Sequence, residues 1–165
     1  KDPGGQMRTS LLAILALFAS TPAMALTEDT IVMSGEVVSQ LEVACTDTTG
    51  ATDLDFDGGV AEVIVKVADC SADTNDDAGL TITFNPDANF IGDGADVFAF
   101  AVESVAEGAD PPLSGVFPAN DVDDTWATSS AAPTDADVYI KFTQDDQADP
   151  GTYEANIAVT TADNS

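Results

Sequence analysis

Two cysteines, a run of alternating aspartates and two lysines beyond residue 25 are the side chains of this chain that could do chemistry. Cys45 and Cys70 form an even pair, and in an oxidising compartment such a pair closes a disulfide. That bond would stabilise the fold by about 3 kcal/mol, through the entropy it removes from the unfolded chain. They lie too far apart for a C-x-x-C redox site, and no histidine is present to activate a thiol. Asp53-x-Asp55-x-Asp57-Gly58 copies the opening of an EF-hand loop, where oxygen ligands at alternate positions suit Ca²⁺. Position 12 of such a loop requires a bidentate Glu, and Ile64 stands there instead. Two readings of the aspartates therefore stay open. They are calcium ligands, or they are the solvated face of a strand that turns Leu54 and Phe56 inward. Lys66 and Lys141 could serve Ser/Lys catalysis or an intramolecular Lys–Asn or Lys–Asp cross-link. Neither stands in an S-x-x-K pattern, and the sequence identifies no partner.

Composition excludes much of the remaining chemistry. The 165 residues hold 30 Asp and Glu, 4 Lys and Arg and no His, for a net charge of −26. Such a chain repels phosphate backbones and anionic headgroups, so neither nucleic acid nor a charged membrane surface is an expected partner. Without imidazole there is no Ser-His-Asp triad, no Cys-His pair and no histidine metal site. Catalysis by paired carboxylates would need one acid singled out by burial, and nothing in the sequence singles one out. No enzymatic activity is expected, and no cofactor apart from the Ca²⁺ considered above.

The amino end must be separated before the fold is considered. Residues 1–6 precede Met7 and are an upstream or vector-derived remnant with no expected role. Met7 and Arg8, the apolar run LLAILALF at 11–18 and Ala23-Met24-Ala25 make residues 7–25 a secretory signal peptide. Eight apolar residues fall well short of the roughly 20 that span a bilayer, so no membrane insertion is expected after cleavage. The mature chain, residues 26–165, retains Lys66 and Lys141 as its only basic side chains. Its acidity suits a saline exterior where counterions screen repulsion, or simply keeps a secreted protein apart from its neighbours.

What positions these groups is a series of short strands. Ile31, Met33, Gly35 and Val37 alternate with Val32, Ser34 and Glu36, and Leu54 and Phe56 alternate with Asp53, Asp55 and Asp57. Strands are expected at residues 60–68, 80–84, 97–105, 138–142 and 153–160, separated by Asp/Asn/Gly/Pro clusters at 73–79, 85–87, 92–96 and 145–151. Residues 110–136 are broken by four prolines and are expected to form a long loop with a short strand around 113–117. There is no amphipathic helix beyond the signal peptide. Seven or eight short strands with turn signals between them predict an all-β sandwich with one disulfide, occupying residues 39–165.

The leading segment carries a resemblance. Thr30-Ile31-Val32-Met33-Ser34-Gly35-Glu36-Val37-Val38, followed by Cys45 as residue 20 after Ala25, is similar to the start of a mature chaperone-usher fimbrial subunit. Leu54-Asp55-Phe56, the β-rich stretch closing at Cys70, and Pro150-Gly151-Thr152-Tyr153 before Ile157-Ala158-Val159 resemble type 1-like pilin and spore-coat-U-like domains. The resemblance implies an immunoglobulin-like sandwich lacking one strand, completed by the amino-terminal extension of the next subunit. It implies a periplasmic chaperone and an outer-membrane usher as partners, and self-association into a surface filament reached through the periplasm, supporting adhesion or biofilm formation. In that scheme residues 26–38 are the donor strand, with Ile31, Met33 and Val37 filling pockets and Gly35 passing a shallow one. The same segment could equally be the first strand of its own sandwich. The rival function is a monomeric secreted binding module directed at calcium or carbohydrate, with Trp126, Tyr139 or Tyr153 as stacking residues.

Overall fold

Alternating stretches become strands because one face of each can be buried while the other meets water. The computed structural model of the chain describes residues 33–93 and 96–164. Within them nine strands form: β1 (Leu41–Asp47), β2 (Glu62–Thr74), β3 (Leu80–Pro86), β4 (Asn89–Gly92), β5 (Val97–Ala106), β6 (Asp124–Ala127), β7 (Thr134–Thr143), β8 (Tyr153–Glu154) and β9 (Ile157–Asp163). A single helical turn, α1 (Thr49–Thr52), follows β1, and a 3-10 turn, Ser114–Val116, precedes β6. No helix among the described residues is long and apolar enough to cross a membrane.

The strands form two antiparallel sheets. The larger has the order β1-β2-β7-β5-β4-β8 and the smaller β6-β3-β9. Strand β3 holds the smaller sheet against the larger: Leu80, Ile82 and Phe84 point inward and are fully buried, while Thr81 and Thr83 face out. Opposite them lie Phe100 and Val102 of β5 and Val138, Ile140 and Phe142 of β7. Each such side chain contributes roughly 1.5–3 kcal/mol on burial, so the meeting of these two faces dominates the stability. The turn that carries the chain from β2 to β3 closes on Gly79, at φ 83°. A Cβ there would stand 2.5 Å from the Thr128 carbonyl oxygen, so a side chain at this position is excluded twice over.

The chain is thus an all-β sandwich with a disulfide between Cys45 and Cys70, which sit opposite one another in the β1–β2 ladder. Several local expectations change. Leu54 and Phe56 do point inward between exposed aspartates, but on an irregular loop rather than a strand. The loop is fixed by its aromatic side chain: the Phe56 ring lies 4.7–5.4 Å from those of Phe90, Phe98, Phe142 and Tyr153. The strand expected around 113–117 is a 3-10 turn, because Leu113 and Val116 stay exposed and only Phe117 finds a buried seat. The strand of this region is instead β6, where Asp124 and Trp126 turn inward. Strand β2 runs on through Cys70 to Thr74, and the single strand expected at 153–160 is divided into β8 and β9, which join different sheets. Strands β1 and β4 were not anticipated, although Leu41, Val43 and Cys45 carry the alternation that marks the first of them.

Candidate functional site

Strand β1 pairs only with β2, and β9 only with β3; both are terminal strands of their sheets. Among the described residues no strand pairs with the outer edge of either. These two unpaired edges face each other across the sandwich, and between them the core is open. The cleft has a volume of about 310 Å³, and its walls include Cys45, Leu54, Phe84, Ile140, Ile157 and Val159. Side chains along β9 alternate, with Ile157, Val159 and Thr161 half-buried toward the cleft side and Ala158, Thr160 and Ala162 exposed on the other.

The cleft is pinned shut at one end only. Asp163, at the close of β9, accepts hydrogen bonds from Ser39 Oγ and Thr74 Oγ1, each at 2.7 Å. These two donors hold the Asp163 carboxyl below the usual carboxylate range. At the far end Asp47 and Ile157 both line the cleft, and the opening continues past Thr52 and Ala155 toward Phe56 and Tyr153. Chemically, such a site offers two rows of unpaired backbone N–H and C=O groups flanking an apolar floor. An extended peptide satisfies both at once.

The two lysines lie elsewhere, on the outer face of the larger sheet. Lys66 meets Asp69 and sits 2.9 Å from Asp137 Oδ1, on a carboxylate only 3% exposed. Hydrogen bonds that Lys66 donates to Asp69 and then to Asp137 raise its amine above its ordinary value. Burial pushes Asp137 upward, but Lys66 and the Gly108 N–H outweigh it and hold the carboxyl low. The structure therefore supplies a neighbour for a Lys–Asp cross-link and also the reason against one. Amide formation needs a neutral amine and a protonated acid, and each group holds its partner in the ionised form. Lys141 donates to the Ser114 carbonyl at 2.9 Å and lies over the Phe117 ring, 5.2 Å from its centre. It fastens the 110–117 loop over Tyr139 and Ala101.

Of the other residues singled out in the sequence, Ile31 lies outside the described residues. Met33, Gly35 and Val37 belong to a stretch, residues 33–40, that has no secondary structure, and Met33 and Val37 are exposed. Asp53, Asp55 and Asp57 are all exposed, and Asp55 Oδ1 accepts the Asp57 N–H at 3.1 Å. No three His, Cys, Asp or Glu side chains among the described residues gather in an arrangement that could hold a metal. Trp126 is turned into the core and donates to Thr134 Oγ1, Tyr139 is buried under Phe117, and Tyr153 packs on Phe56 and Phe98. These three rings do not meet. Sequence reasoning missed the cleft walls at Phe84, Ile157 and Val159; their alternation was visible, but the absence of a partner strand was not. No protein-family model, no curated protein and no solved structure matches the chain.

Proposed function

We propose that the protein is an exported structural subunit that polymerises into a surface filament by strand donation, the segment 26–38 of one copy filling the cleft of the next. One observation carries the proposal: among the described residues, β1 and β9 are unpaired edges on either side of an open apolar cleft. Exposed edges of this kind are normally blunted or covered, because they recruit other chains. Here both flank the same opening, so a single inserted strand would cover both. The segment 26–38 has the alternation such a strand needs, and the resemblance to fimbrial subunits rests on the same residues. Burial of Ile31, Met33 and Val37 would contribute roughly 5–8 kcal/mol before the cost of ordering the segment. Export, a periplasmic chaperone and an usher belong to the same proposal.

The test is electron microscopy of concentrated purified protein in 1 M NaCl, beside a variant carrying Ile31→Ser, Met33→Ser and Val37→Ser. The native chain should form filaments, and the variant should stay monomeric with its disulfide and strand spectrum intact. Monomers in both samples, or filaments in both, would end the proposal.

A further inference from the structure

Resting on the strand-donation reading, we propose that insertion into the cleft is gated by ionic strength: copies stay apart in dilute salt and assemble in concentrated salt. The segment 26–38 carries Glu28, Asp29 and Glu36 and no basic residue. The edges it would meet are acidic too. Asp47 lines the cleft, Glu42 lies on the other face of β1, and Asp163 ends β9. Cations to receive the segment are absent from these walls. Among the described residues the only basic side chains are Lys66 and Lys141. Both stand on the outer face of the larger sheet, the first engaged by Asp69 and Asp137, the second by the Ser114 carbonyl and the Phe117 ring. An arriving strand therefore meets like charge at short range, and behind it comes a second body with the same excess.

The apolar contribution of Ile31, Met33 and Val37 opposes this repulsion and changes little with dilute salt, whereas the repulsion itself depends steeply on screening. The Debye length is about 30 Å at 0.01 M, which spans the domain, and about 3 Å at 1 M, which is shorter than the spacing between strands. Ionic strength thus decides whether the apolar contacts can be reached. Electrostatic control of this kind changes association rates by roughly 10- to 1,000-fold.

The experiment uses the full chain at nanomolar concentration and two synthetic 26–38 peptides with capped ends and a net-neutral dye. One has the native sequence, and the other carries Glu28→Gln, Asp29→Asn and Glu36→Gln. Association is followed by fluorescence anisotropy at 0.01, 0.1 and 1 M NaCl. The native peptide should bind roughly 10- to 1,000-fold faster at the highest salt than at the lowest. The neutral peptide should bind in all three with rates within about threefold of one another, since it has no charge to screen. Binding of both peptides with the same salt dependence, or with none, would overturn the gate while leaving donation standing. Binding of neither peptide at any salt would remove the donation reading and the gate together.

Discussion

Asp137 is a buried carboxylate whose loss should be felt. It is nearly fully buried, accepts the Gly108 N–H at 3.1 Å and neutralises Lys66. Asp137→Asn should lower stability by about 1–3 kcal/mol, read as a lower urea midpoint with an unchanged slope. The pH dependence of that gap follows from the directions of the two shifts. Because the folded Asp137 titrates below its unfolded value, its contribution is complete above about pH 4 and disappears as pH falls through the folded value. Lys66 is shifted the other way, so its contribution is complete below about pH 10.4 and is lost as pH rises past the higher folded value. Wild type and variant should therefore differ most across the plateau between these limits and converge beyond both. Nothing in the spacing of Lys66, Asp69 and Asp137 announces this cluster. It depends on the bulge between Lys66 and Ala68, which sets β2 against β7.

Strand β1 is held on one edge only, so the disulfide acts on it as a clamp. Replacing Cys45 and Cys70 by Ser should cost about 3 kcal/mol. Hydrogen exchange should then quicken in residues 41–47 well before it does in β3 or β7, whose neighbours hold them on both sides. The 110–117 loop has a different anchor. Phe117→Ala should lower stability by about 3 kcal/mol, somewhat below what a ring in the main core would cost, because Phe117 closes a smaller cluster over Tyr139. Lys141→Ala should lower it by less, since the lost bond to the Ser114 carbonyl lies near solvent. Strands β2, β5 and β7 were legible because long β-branched runs bounded by turn residues have few other uses. Strand β6 was hidden by its own shortness and by Asp123 and Asp124, whose turn propensity suggests a loop. Tertiary contacts override it: Asp124 turns inward to accept the Ser104 N–H at 2.8 Å, tying the smaller sheet to the larger.

The assembled domain is an acidic body with an apolar opening, and both properties can be tested on a single preparation. Val159→Arg places a long charged side chain where β9 lines the cleft. Its backbone is already paired to β3 through Phe84, so the fold should survive. If strand donation holds, excess 26–38 peptide should stabilise the native chain by about 2.7 kcal/mol at a hundredfold excess over Kd, and the variant should lose that stabilisation. A melting curve with and without peptide reads this directly. Alternation, turn residues and the cysteine pair were enough to predict strands, a sandwich and one disulfide, because hydrophobic periodicity and loop chemistry act locally along the chain. Which edges stay unpaired, which aspartate meets Lys66 and where Phe56 lodges depend on pairings between residues up to 124 positions apart, as with Ser39 and Asp163. Such pairings arise only when the two sheets close on one another, since the free energy that selects them comes from burial shared by all the strands together.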